Sequence, residues 1–153
     1  MSRDELAAVS RHREKPHWKP RRVIPMISIR LLQKGLGTVF FASGLSALGK
    51  HAASRLALCY GRQFKSASIR KDGELTVVTG LPKRAYPRGG ICVGDVFLTG
   101  PQPRPSVLRH EAQHARQWRI YGLAMPVLYW LAGSDPHRNW FEVEAGLSDG
   151  GYL

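Results

Sequence analysis

The sequence predicts an α+β fold, a short and mostly antiparallel sheet packed on helices. Three observations carry that expectation. Residues 62–100 read as strands separated by turn signals, with apolar and polar residues alternating over Ile91–Thr99, the period of a half-buried strand. From Pro101 onward, apolar residues recur at helical spacing. The chain is 153 residues long with 43% hydrophobic and 22% charged residues, enough for one core and too apolar for a disordered chain.

Residues 1–34 read as a basic N-terminal arm, followed by a single domain over residues 35–153. The arm carries Arg3, Arg11, Arg13, Lys15, Lys19, Arg21, Arg22, Arg30 and Lys34 against Asp4, Glu5 and Glu14, and Pro16 and Pro20 interrupt any long helix. The net charge of +12 makes an anionic membrane surface or nucleic acid a reasonable partner for it. No nucleic-acid-reading motif accompanies the charge. Gly35–Gly49 is free of charge but shorter than the roughly 20 apolar residues of a spanning helix. No small-residue cleavage site follows the arm as in a signal peptide. A cytoplasmic protein is expected, with peripheral membrane attachment as the variant. Cys59 and Cys92 cannot make a disulfide framework and read as two half-buried small side chains.

Residues 27–60, rich in Leu, Ala and Gly, suggest one or two helices that pack on the rest. Ser66–Arg70 and Glu74–Thr79 read as strands joined by an Asp72-Gly73 turn, since both types tolerate positive φ. Ile91–Thr99 alternates and is β-branched and aromatic, which predicts a third strand. Pro101, Pro103 and Pro105 then block regular structure up to Ser106, the expected N-cap of a helix starting at Val107 and ending at Gly122. A short apolar helix over about 124–131 tolerates Pro126 in its first turn. Gly133 to Pro136 form a turn, and Asn139 caps a last helix. Trp118, Trp130, Trp140 and Phe141 are expected in the core.

The first of these late helices carries His110-Glu111-Ala112-Gln113-His114, an H-E-x-x-H pattern. Residues four apart share a helix face, so both imidazoles reach one ion, with Glu111 beside them as general base toward a metal-activated water. Zinc suits two nitrogens and one carboxylate and keeps a fourth position for water. The third ligand is expected from Glu142 or Glu144, which point to different faces, so at most one ligates. Asn139 and Glu142 also have capping-box spacing, a structural alternative for that glutamate. Tyr121, Tyr129, His137 and Arg138 are available as donors to an oxyanion.

His110 to His114 followed by Phe141-Glu142-Val143-Glu144-Ala145 resembles the gluzincin metallopeptidases, and looks closest to compact single-domain bacterial members. The resemblance covers about residues 106–148. It implies a zincin-like domain hydrolysing peptide bonds in a peptide or protein substrate, with zinc held by His110, His114 and Glu142 and Glu111 as the catalytic base. It also implies that an edge strand beside the active-site helix binds substrate backbone, a place that Ile91–Thr99 occupies in chain order. One departure stands out. Gly146 replaces the Asp or Asn that would orient a ligand histidine, with Asp95, Asp135 or Asp149 as substitutes. Two other classes fit the residues: a catalytically inactive metal-bearing interaction module, and a basic nucleic-acid-associated protein.

Overall fold

Four α-helices, two single-turn 3-10 helices (Lys83–Ala85 and Gly122–Ala124) and a four-stranded sheet account for the regular structure of residues 44–153, which the computed structural model describes. The basic arm and the front half of the Leu-, Ala- and Gly-rich stretch lie outside the described residues.

Helix α1 covers Leu45–Arg62. Ser46, Gly49, Ala53, Ala57 and Gly61 are among its buried residues, at helical spacing, so a face of small side chains meets the rest of the protein. Strands β1 (Ser68–Asp72) and β2 (Leu75–Thr79) form an antiparallel hairpin in which Asp72 pairs with Leu75. The loop is therefore Gly73-Glu74 rather than Asp72-Gly73. Gly73 has φ 55°, a value that costs glycine nothing and strains other residues.

The expected single strand Ile91–Thr99 is instead a second hairpin, β3 (Ile91–Val93) and β4 (Val96–Leu98), folded at Gly94-Asp95. The sheet order is β1-β2-β4-β3, with β2 and β4 parallel and the two hairpins antiparallel. The sheet is thus mixed, antiparallel in two of its three pairings, and β3 forms one edge.

Both faces of the central strands are covered. Val78, Val96 and Leu98 pack with Ala57 of α1. Leu75, Val77 and Phe97 pack with Ala115 of helix α2 (Pro105–Tyr121) on the other side. Val77 and Val78 are fully buried and Leu75, Val96 and Phe97 nearly so. Each such side chain contributes about 1.5–3 kcal/mol relative to exposure.

Helix α2 starts two residues before expectation. Pro105 occupies its first turn and Arg104 is the N-cap without a side-chain cap bond, so Ser106 lies inside the helix. Proline lacks the N–H that a cap would satisfy and its φ is already helical. Gly122 ends the helix, as expected. Helices α3 (Met125–Ala132) and α4 (Trp140–Ala145) follow. Trp118, Tyr121, Met125 and Phe141 close a core cluster with Ala53 of α1. Tyr121, one of the possible oxyanion donors, is buried edge-on to Phe141 at 5.7 Å and serves packing. Trp130 departs from its expected place in the core: it is 70% exposed, because only Met125 of α3 is buried. No helix of the described residues is long and apolar enough to cross a membrane.

Candidate metal centre

Helix α2 turns Ala115, Trp118 and Tyr121 into the protein and carries His110, Glu111 and His114 to the floor of a cleft of about 1260 Å³. His110 is 3% exposed, His114 8% and Glu111 9%. Helix α4 crosses α2 and brings Glu142, 4% exposed, to the same point. Asn139 sets that crossing. Its side chain accepts from the Phe141 backbone N–H (3.0 Å) and donates to the carbonyls of Gly133 (2.7 Å) and Tyr129 (3.3 Å), pinning the end of α3 to the start of α4. The capping box does not form: the Asn139 N–H donates to the Asp135 carbonyl at 2.8 Å, and Glu142 turns toward the histidines.

Three side chains converge. His110 Nε2 lies 3.1 Å from His114 Nε2 and 3.2 Å from Glu142 Oε2, and His114 Nε2 lies 3.7 Å from Glu142 Oε1. The hydrogen bonds behind the rings fix what these atoms present. Gln117, 1% exposed, donates through Nε2 to the Phe141 carbonyl (3.0 Å) and to Glu144 Oε2 (2.8 Å). Its Oε1 is therefore an acceptor, and His114 Nδ1, 2.7 Å away, must be the donor. His110 Nδ1 faces the Gly146 carbonyl at 3.1 Å and must donate as well. In the neutral rings both Nε2 atoms then carry lone pairs, and they face each other and a carboxylate. Glu142 Oε2 is buried without a hydrogen-bond partner, while Tyr129 donates its hydroxyl to Oε1.

Two ring lone pairs and the Oε2 atom, gathered with no donor among them, are costly unless a cation sits there. The titration directions agree. Burial would lower the affinity of His110 for a proton, yet the neighbouring Glu142 and Glu111 outweigh it and raise its pKa. Burial would push the Glu142 carboxyl up, yet the histidines and the Tyr129 hydroxyl outweigh it and hold it well below the usual carboxylate range. The cluster favours a bound positive charge. The separations also fit a metal, since four ligands about 2.05 Å from zinc in a tetrahedron stand about 3.3 Å apart. Among the described residues, His110, His114 and Glu142 are the group whose ligand atoms all lie within 4.8 Å of one another.

Glu111 lines the same cleft, and burial raises its carboxyl pKa, with the charge of Glu142 adding and the two histidines opposing. Glu144 is outside the cluster and braces Gln117 instead. Of the possible orienting acids, Asp149 pairs with Arg109 (2.8 and 3.0 Å), Asp95 with Lys50 (3.0 Å), and Asp135 accepts from the His137 N–H (3.0 Å). The Gly146 carbonyl takes their place. At φ 94°, residue 146 lies where glycine is favoured.

Tyr129 is engaged by Glu142, and Tyr152, a phenol that sequence reasoning does not single out, interacts with both Arg88 and Glu142. Its ring centroid is 6.0 Å from that of His110, and burial and the Glu142 charge raise its pKa against the opposing pull of Arg88. Arg138 lines the cleft, 3.7 Å from Asp135, whereas His137 is exposed and not part of its wall. Cys59 is exposed rather than half-buried. Cys92 is half-buried, with Sγ 3.6 Å from the Glu111 carbonyl, and burial pushes its thiol pKa up.

No protein-family model, no curated protein and no solved structure matches this chain.

Proposed function

We propose that the protein is a zinc-dependent metallopeptidase with His110, His114 and Glu142 as metal ligands and Glu111 as general base. The observation that carries the reading is the convergence of two imidazole lone pairs and an unpartnered buried carboxylate oxygen on one point of an open cleft. Zinc at that point supplies a Lewis acid for a carbonyl and lowers the pKa of water to about 7. Glu111, desolvated and facing the cleft, takes the proton of the attacking water and delivers it to the leaving amine. Gln117 and the Gly146 carbonyl hold the two rings in the ligating tautomer, and Tyr129 holds Glu142 Oε1 so that Oε2 points inward.

Edge strand β3 supports a peptide as substrate. Gly90, Ile91 and Cys92 line the cleft, so an extended chain can lie along this edge by strand addition, leaving out the Cys92 carbonyl, which accepts from the Trp118 indole N–H at 3.1 Å. The cleft walls add Val107, Trp130 and Leu131, which suit apolar side chains.

A mixed peptide library incubated with zinc-loaded protein tests the reading. Cleavage that stops on chelation and returns with zinc is the expected result. A zinc-loaded protein that leaves every peptide intact would make the centre a binding module without turnover.

The C-terminal turn makes a separate prediction. A Cβ on Gly150 would lie 2.7 Å from His110 Cε1 and 2.9 Å from its Nδ1. Gly150→Ala is expected to shift that ring off the Gly146 carbonyl and weaken zinc binding roughly 10- to 100-fold, the usual effect of losing an orienting partner. Competition with a chelating dye measures it, and unchanged affinity would show that the ring is not held from this side.

A further inference from the structure

Helix α1 distributes its side chains in an unusual way. Its small residues are buried, while Leu45, Leu48 and Leu56 are 59%, 68% and 72% exposed on the adjoining face. A second apolar strip borders it. Leu123, Val127 and Trp130 are 63%, 59% and 70% exposed. The two strips meet at Gly49, where a Cβ would lie 3.1 Å from Leu123 Cγ. An exposed apolar surface of this extent marks an interaction site.

Charge says which kind. Between Glu14 and Asp72 there is no acidic residue, and this stretch carries twelve lysines and arginines: Lys15, Lys19, Arg21, Arg22, Arg30, Lys34, Lys50, Arg55, Arg62, Lys65, Arg70 and Lys71. His51 and Arg55 are exposed beside the leucines of α1. From Ile120 to Ser134 there is no charged residue at all. Glu74 and Asp95 reach α1 only on the side of Ala47, Lys50 and His51, where Asp95 pairs with Lys50. Leucines and a tryptophan on one surface, with Arg55 beside them and a chain rich in cations leading into it, are the composition of a face that lies in the headgroup region of an anionic bilayer.

We infer that the exposed faces of α1 and α3 dock on an anionic phospholipid surface. Trp130 belongs both to this face and to the cleft wall, so docking sets the mouth of the cleft at the lipid interface. A peptide held there would be membrane-proximal. The docking does not depend on the metal or on catalysis.

The full chain sedimented with phosphatidylcholine vesicles containing roughly 30% phosphatidylglycerol is expected to bind them and to ignore pure phosphatidylcholine. Leu48→Asp/Leu56→Asp is expected to weaken that binding at least about tenfold while the thermal melt stays unchanged, because both positions are open to solvent. Lipids brominated on their acyl chains should quench the fluorescence of the parent protein, and the quenching should fall in Trp130→Phe. Three results would overturn the inference. Equal vesicle binding by parent and leucine variant would assign the binding to charge alone. A variant that unfolds would mean that the face packs on this chain's own residues. A parent that ignores both vesicle types but shifts on DNA or dimerises through these leucines would assign the face to that partner.

Discussion

Glu111→Gln is expected to bind zinc as tightly as the parent and to lose peptide hydrolysis by about 10²–10⁴ in kcat, the contribution of a placed general base. That loss equals about 3–5 kcal/mol of barrier. The two results separate because Glu111 stands apart from the three converging side chains: the ligand atoms within 4.8 Å of one another belong to His110, His114 and Glu142. Glutamine keeps the size of the side chain but not its basicity. The substitution removes a buried carboxylate whose pKa is already raised, so the fold should tolerate it. Elemental analysis and single-turnover cleavage on the same preparation make the measurement. Undiminished cleavage by the variant would remove Glu111 from the chemistry.

The second large effect separates two glutamates that are two residues apart. Glu142→Ala removes the carboxylate facing both histidines and frees the Tyr129 hydroxyl, so zinc should be lost or bound more than about 100-fold more weakly. Glu144→Ala removes only a partner of Gln117, which still donates to the Phe141 carbonyl. Its expected cost is about tenfold or less. Zinc titrations of both variants decide the matter, and equal affinities would remove Glu142 from the centre.

Much of this site is legible in the sequence. The H-E-x-x-H spacing places two histidines on one helix face whatever the tertiary fold, and a downstream helix with two glutamates offers the third carboxylate. Spacing alone does not choose between Glu142 and Glu144, because the choice depends on how α4 crosses α2. That crossing is set by Asn139 reaching back to Gly133 and Tyr129, a contact between separate elements. The orienting groups are hidden for different reasons. Gln117 falls three residues after His114 on the buried side of α2, and a core-facing glutamine there is the available signal. The acceptor for His110 is a backbone carbonyl, and carbonyls have no letter in a sequence.

Strand patterning identifies the first hairpin and merges the second into one strand. The apolar run Ile91–Thr99 contains Gly94-Asp95, a two-residue turn signal, and the alternation on either side masks it. The parallel pairing of β2 with β4 joins segments some twenty residues apart through the turn-rich stretch between them, which alternation alone does not reveal. Trp130 departs from expectation for a related reason. Apolarity marks a residue for burial only when something covers it, and α3 turns its tryptophan outward.

Zinc stoichiometry of the purified chain, with His114→Ala beside it, tests the central claim most directly. One zinc per chain in the parent and none in the variant is the result that the geometry of His110, His114 and Glu142 predicts. A parent that stays free of zinc after incubation with it, or a variant that binds it equally well, would contradict the metal centre and with it the peptidase reading.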